Sequence, residues 1–334
     1  MKFRLRALRA ACMLAFAAAL SACGGESSVA FNPSRILVFG DQTSVITLEP
    51  VPAEGKKYTV NALNKDGTFN CVGNPIWIQL LASGYGFGFP ECPVTVESTA
   101  PVSRILAKAG ATLTGSRDID LTEQITRQLN KPAAEGGGFT QTDLVTVYAG
   151  VNDVVELYKQ YEDGSLTVDE VKTRAEAAGV NLAVQVARIA DAGGKVLVST
   201  VPDVGVTPYG RRKPLDGSAL LTLLTLRINN QFLLALQNSG NNNGRLIGLI
   251  ELNPYLINVI AFPGNYGYVN VRNGSCKDLP LPPECSTSTL RSNDDGSTAG
   301  AYTWLWANEL QLGPGGHAQL GNLALTRARN QPFQ

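Results

Sequence analysis

The sequence predicts an α/β fold: a parallel sheet wound on both sides by helices. Two observations carry this. Four short apolar runs lack the alternation of half-buried strands, and Ala- and Leu-rich stretches of helical spacing lie between or after them. The first run, Arg35 to Phe39, is stopped by Gly40-Asp41, and the second, Leu144 to Tyr148, by Ala149-Gly150. The third, Lys195 to Ser199, ends before Pro202-Asp203, and a weaker fourth spans Leu246 to Ile250. Runs of this kind suit strands buried on both faces. Val171 to Ala192 sets Val180, Leu182, Ala183, Val186 and Ile189 at helical spacing, Leu220 to Gln237 is similar, and His317 to Ala328 reads as a closing helix. Gly205 to Ser218 and the Asn/Gly-rich stretch 238–244 read as turns, and 264–300 as a loop excursion. No Pro/Ser linker divides the chain after residue 35 and no internal repeat occurs, so 35–334 is expected to be one domain.

Composition narrows the function. With 334 residues, 44% of them hydrophobic, there is material for a substantial core, which excludes a disordered chain. Lys+Arg 28 balance Asp+Glu 28, so broad electrostatic binding to nucleic acid is not expected. The single His, His317, argues against a multi-histidine metal site, and neither a metal nor another cofactor is expected. It also makes any Ser/His mechanism depend on one identifiable residue.

The first residues read as an export signal. Lys2, Arg4, Arg6 and Arg9 precede an apolar run from Ala10 to Leu20, which ends in Leu-Ser-Ala-Cys23. The run is too short for a membrane span, which needs roughly 20 residues. The Leu-Ser-Ala-Cys ending resembles a bacterial lipobox. That resemblance implies a signal peptide over 1–22, lipidation of Cys23 and a tether over 23–34. Loss of residues 1–22 removes four basic and no acidic residues, leaving an acidic chain. Gly24, where Asp would favour the inner membrane, implies an outer-membrane lipoprotein, periplasmic or surface-facing. The membrane, through the lipid, is then the expected partner.

Cysteine usage fits export. Beyond Cys12 and Cys23 four remain, Cys71, Cys92, Cys276 and Cys285, which allow three pairings. Local pairing, Cys71–Cys92 and Cys276–Cys285, is expected because both intervals are rich in Gly and Pro. Closing each loop is worth about 3 kcal/mol in the chain-entropy model.

Four segments, in order, resemble the blocks of the SGNH (GDSL) hydrolases. Ile36-Leu-Val-Phe-Gly-Asp-Gln-Thr-Ser44 is similar to an apolar strand followed by Gly-Asp-Ser-x-Ser. Ala107-Lys-Ala-Gly-Ala-Thr112 is similar to the second block, and Tyr148-Ala-Gly-Val-Asn-Asp153 to the Gly-x-Asn-Asp of the third. Asn308-Glu-Leu-Gln-Leu-Gly-Pro-Gly-Gly-His317 is similar to the last, Asp-x-x-His. The third block is the most specific, and with supporting stretches at Val198 to Pro208 and Tyr266 to Asn270 the resemblance covers nearly all of 35–328. It implies a three-layer α/β/α sandwich with a flavodoxin-like sheet and a site at the carboxyl ends of the strands.

The resemblance also assigns roles, and here the sequence departs from the family. The family's nucleophilic Ser falls on Gln42, its orienting Asp on Asn308 and its basic His on Gln311. A carboxamide has no hydroxyl to deprotonate and no pKa near neutrality, so no intact catalytic triad is expected. The oxyanion positions are kept: Gly110, Asn152 and the Gln42 N–H. Fallback catalytic candidates are Ser44 and His317, but Ser44 matches the family's second, non-catalytic Ser. His317 lies six residues past Gln311, towards the other face of a helix, and is expected to start that helix. Asp41 and Asp153 are expected as turn or helix caps, and Trp304 and Trp306 as core, with one of them a plausible pocket wall.

The expectation is therefore a lipid-anchored, catalytically degenerate esterase homologue with a binding or envelope role, its amide-lined pocket suited to a glycan or an acyl carbonyl. The alternative is an active GDSL-type ester hydrolase with non-standard residues. Loss of a triad costs about 10⁶ in turnover, while an oxyanion hole and binding alone leave roughly 10³–10⁴ over water.

Overall fold

A computed structural model describes residues 31–48, 54–93, 103–240, 245–293, 296–330 and 333. The signal peptide and Cys23 lie outside the described residues. Residues Phe31–Phe333 form one compact unit.

Five strands build the sheet: β1 (Arg35–Gly40), β2 (Arg104–Ile105), β3 (Asp143–Tyr148), β4 (Lys195–Ser199) and β5 (Ile247–Ile250). They lie in the order β2-β1-β3-β4-β5, and every pair is parallel. This is the flavodoxin-like order, with its switch point between β1 and β3. The sheet is buried on both faces, which is why its strands read as continuous apolar runs. Leu37, Phe39, Val145 and Val147 point into one core, and Ile36, Val38, Leu144 and Leu197 into the other.

Helices cover both faces. One core is closed by α2 (Leu121–Asn130), α3 (Val151–Glu162), α4 (Val168–Asp191) and α6 (Leu215–Asn238). The other is closed by α1 (Trp77–Ser83), α7 (Leu252–Ala261) and α8 (Pro314–Arg329). The three-layer α/β/α sandwich is thus present. Among the described residues α6 is the one helix long and apolar enough to cross a membrane, yet its Leu221, Leu224, Ile228 and Phe232 are wholly buried in the core.

The boundaries depart from the sequence reading where capping decides them. Helix α4 starts at Val168 because Thr167 and Glu170 form a reciprocal capping box. Helix α6 starts at Leu215 after Pro214, so the segment 205–218 is not all turn; it also holds the short helix α5 (Pro208–Arg211). The 264–300 excursion contains β6 (Asn270–Gly274), paired in parallel with β7 (Trp304–Trp306). Both expected disulfides, Cys71–Cys92 and Cys276–Cys285, are formed.

A buried ammonium supports the first disulfide loop. Lys57 Nζ, on a fully buried residue, donates to the carbonyls of Cys71 at 2.7 Å, Gly73 at 2.5 Å and Asn74 at 3.0 Å. Burial pushes its pKa down to about 7.

Candidate functional site

The crevice at the β1/β3 switch point is made by the chain leaving those two strands. Gly40 ends β1 with φ 126°, and a Cβ there would lie 1.8 Å from the Tyr148 carbonyl oxygen. Gly150 follows β3 with φ 121°, where a Cβ would lie 2.4 Å from Val201 Cγ2. Only glycine meets both demands at once. The two turns deliver Gln42 and Asn152 to the carboxyl end of the sheet.

Asp41 shapes the first turn. It is fully buried and its Oδ1 accepts from the Thr43 N–H at 2.9 Å, capping the tight turn Gln42–Ser44. Among the described residues its Oδ2 has no hydrogen-bond partner, and burial pushes its pKa up to about 7.

Gln42, Gly110 and Asn152 meet, but through the Gln42 side chain. Gln42 Oε1 accepts from the Gly110 N–H at 3.1 Å and from Asn152 Nδ2 at 3.0 Å. Gln42 Nε2 donates to Asn152 Oδ1 at 3.1 Å, and Asn152 Nδ2 also donates to the Ala111 carbonyl at 2.8 Å. The orientation of both amides follows from their partners. The Gly110 N–H can only donate and the Ala111 carbonyl can only accept, so oxygen and nitrogen are placed in each ring of contacts. Two of the three donors expected for an oxyanion, Gly110 N–H and Asn152 Nδ2, are therefore bonded to a neutral carbonyl of the same chain.

The loop carrying Gly110 is held from behind. Arg117 Nη2 donates to the Gly110 carbonyl at 3.0 Å and to Asp120 Oδ1 at 2.8 Å. Asp120 also accepts from the Thr112 N–H and the Arg117 N–H, and these hydrogen bonds hold its carboxyl down at about 2 against the opposing effect of burial. Asp153, in the first turn of α3, accepts from the Leu113 N–H with both oxygens at 2.9 Å. Burial pushes its pKa up to about 7. The positions Arg117 and Asp120 were not singled out from the sequence, although an Arg-x-x-Asp just after the second block was there to be read.

The last block forms a separate cluster of hydrogen bonds. Asn308 Oδ1 accepts from the Leu310 N–H at 3.0 Å and the Gln311 N–H at 2.9 Å, and the Gln311 carbonyl accepts from the Ala307 N–H at 2.8 Å. Asn308 thus shapes the Gln311 backbone and makes no hydrogen bond to its side chain. No hydrogen bond joins either residue to Gln42.

Ser44 and His317 converge on one residue without touching through a hydrogen bond. Ser44 Oγ accepts from Trp77 Nε1 at 3.1 Å, and His317 Nδ1 accepts from the Trp77 backbone N–H at 3.4 Å. Both are fully buried. His317 lies in the first turn of α8, its Nε2 lacks a partner among the described residues, and burial, with the Lys57 charge second, pushes its pKa down to about 3. Trp304 and Trp306 are buried in β7, where Trp306 Nε1 donates to the Val271 carbonyl at 3.1 Å. Among the described residues no group of three or more His, Cys, Asp or Glu is placed to hold a metal ion.

Comparison with known proteins covers the first three blocks, and the last block lies outside the matched residues. The sequence model of the GDSL-like lipase/acylhydrolase family matches residues 36–278. No curated protein matches. Among solved structures, the acetyl xylan esterase AlAXEase is 11% identical with a TM-score of 0.41, over 86% of this chain and 96% of that one. The acetylxylan esterase Axe2 from Geobacillus stearothermophilus is 11% identical with a TM-score of 0.40, over 90% of this chain and 96% of that one.

Proposed function

The chain belongs to the GDSL-like lipase/acylhydrolase family, and within it we propose that this protein is a catalytically silent, lipid-anchored member with a binding role in the cell envelope. The observation that carries the reading is the Gln42 carbonyl bonded to Gly110 and Asn152. An ester carbonyl entering the hole must displace a group tethered to the same backbone, which competes at a high effective concentration. Even after displacement, Gln42 supplies no nucleophile, Gln311 no base and Asn308 no carboxylate to orient one. The fallback pair does not repair this. A Ser44 hydroxyl bonded to an indole and a histidine with a pKa of about 3 form no nucleophile–base couple.

Turnover of a short-chain chromogenic ester tests the silent reading. Hydrolysis by the purified protein is expected at the buffer rate. Enzyme-like turnover, abolished by Ser44→Ala or His317→Ala, would identify an active esterase with non-standard residues.

Anchoring rests on the basic segment, the apolar run and Leu-Ser-Ala-Cys23 in signal order, with the two disulfides consistent with an oxidising compartment. A Cys23→Ser chain should leave the membrane fraction or remain uncut. Normal cutting with wild-type membrane fractionation would refute the anchor.

A further inference from the structure

A groove between α7 and α8, beside the sheet-edge strand β5, has a volume of about 810 Å³ and lies apart from Gln42, Gly110 and Asn152. Its size falls within the about 300–1,000 Å³ typical of small-molecule sites. Its polar lining is mostly neutral and largely unengaged. Asn258 and Asn322 are exposed, and among the described residues their side chains make no hydrogen bond to the protein. Gln319 donates from Nε2 to the Tyr266 carbonyl at 3.3 Å, while its Oε1 is buried and accepts nothing. Glu251 and Arg327 contribute one charge of each sign, and among the described residues neither is in an ion pair. Tyr255 adds a ring, held edge-on by Tyr266 at 5.5 Å between centroids.

We propose that this groove is a binding site for a neutral oligosaccharide. Vicinal hydroxyls are both donors and acceptors, and carboxamides offer the matching pair of groups on one plane. The half-buried Tyr255 ring, kept in place by a second aromatic, presents an apolar surface for the C–H face of a sugar ring. Glu251 and Arg327 cancel in charge, so the lining selects against a strongly charged ligand while both still bond hydroxyls. Net neutrality also separates this groove from a phosphate or polyanion site, which would present a cluster of cations.

The test is calorimetric titration of the purified protein with each of four probes: maltohexaose, cellohexaose, xylohexaose and chitohexaose. At least one should bind with Kd at or below about 1 mM, the weak end of specific recognition. Tyr255→Ala and Gln319→Ala should each weaken that binding about tenfold, as loss of an anchoring contact does. The surface variant Asn322→Ala keeps the fold free of cavities and should weaken it also. Gln42→Ser should leave binding unchanged, which separates this site from the silent crevice. Absence of binding by all four probes overturns the proposal, and so does binding that ignores the three groove substitutions.

Discussion

Gln42 Oε1 lies 3.0 Å from Asn152 Nδ2, and Gln42 Nε2 returns a hydrogen bond to Asn152 Oδ1 at 3.1 Å. The two amides satisfy each other across the switch point of the sheet, the place where an open α/β fold usually binds its ligand. On the proposed reading, the position that would carry the nucleophile also bonds two of the donors expected for an oxyanion.

Removing the Gln42 side chain should uncover those donors at modest cost. Gln42→Ala deletes three hydrogen bonds of about 1 kcal/mol each, offset in part by water reaching the half-buried crevice, so a net loss of about 1–2 kcal/mol is expected. Urea denaturation reads this as a lower midpoint at constant m-value. Hydrogen exchange at the Gly110 amide should accelerate with it. Unchanged exchange at Gly110 would show that the Gln42 carbonyl does not sit there in solution.

The lone histidine gives a pH signature of fixed sign. Its folded pKa of about 3 lies below the ordinary 6.5, because burial disfavours the imidazolium. The neutral ring therefore contributes stability that is complete above pH 6.5 and is lost as pH falls towards 3. The full linkage is at most about 5 kcal/mol, from 1.36 kcal/mol per pKa unit. Relative to His317→Asn, which retains an acceptor and cannot titrate, the wild type should lose stability between pH 6.5 and pH 4. The imidazole carbon-proton resonance should stay flat above about pH 4. A titration near pH 6.5 would place the ring in water and restore it as a candidate base.

Much of the fold was legible because buried parallel strands are written as unbroken apolar runs. Ile36 to Phe39 and Leu144 to Val147 show it, with alternate residues entering opposite cores. Short helices were harder. Helix α1 has only seven residues, and its register depends on Gln79 bonding the Ile76 N–H and on contact with α8, neither of which has a periodic trace. In the site, the motif blocks located Gln42, Gly110 and Asn152, since turns and helix starts are local. The direction of the Gln42 side chain was not legible. The sequence reading used its backbone N–H, whereas the side chain reaches across 110 residues of sequence to Asn152. Nor did local pattern reveal that Ser44 and His317 are both held by Trp77, a relation that exists only once the Trp77 helix packs against the last one.

The central claim is that the fold and its oxyanion donors persist while the reacting groups are missing. Turnover of an activated chromogenic ester by the Gln42→Ser, Asn308→Asp, Gln311→His triple variant tests it most directly. One change empties the hole and installs the hydroxyl, and the other two supply a base and its orienting carboxylate. Because a triad acts as a unit, each single variant should stay near the buffer rate, and the triple should exceed wild type by at least about 10² in turnover. A triple variant that folds with wild-type stability and stays inert would contradict the account, as would a wild type that already turns the ester over at an enzyme's rate.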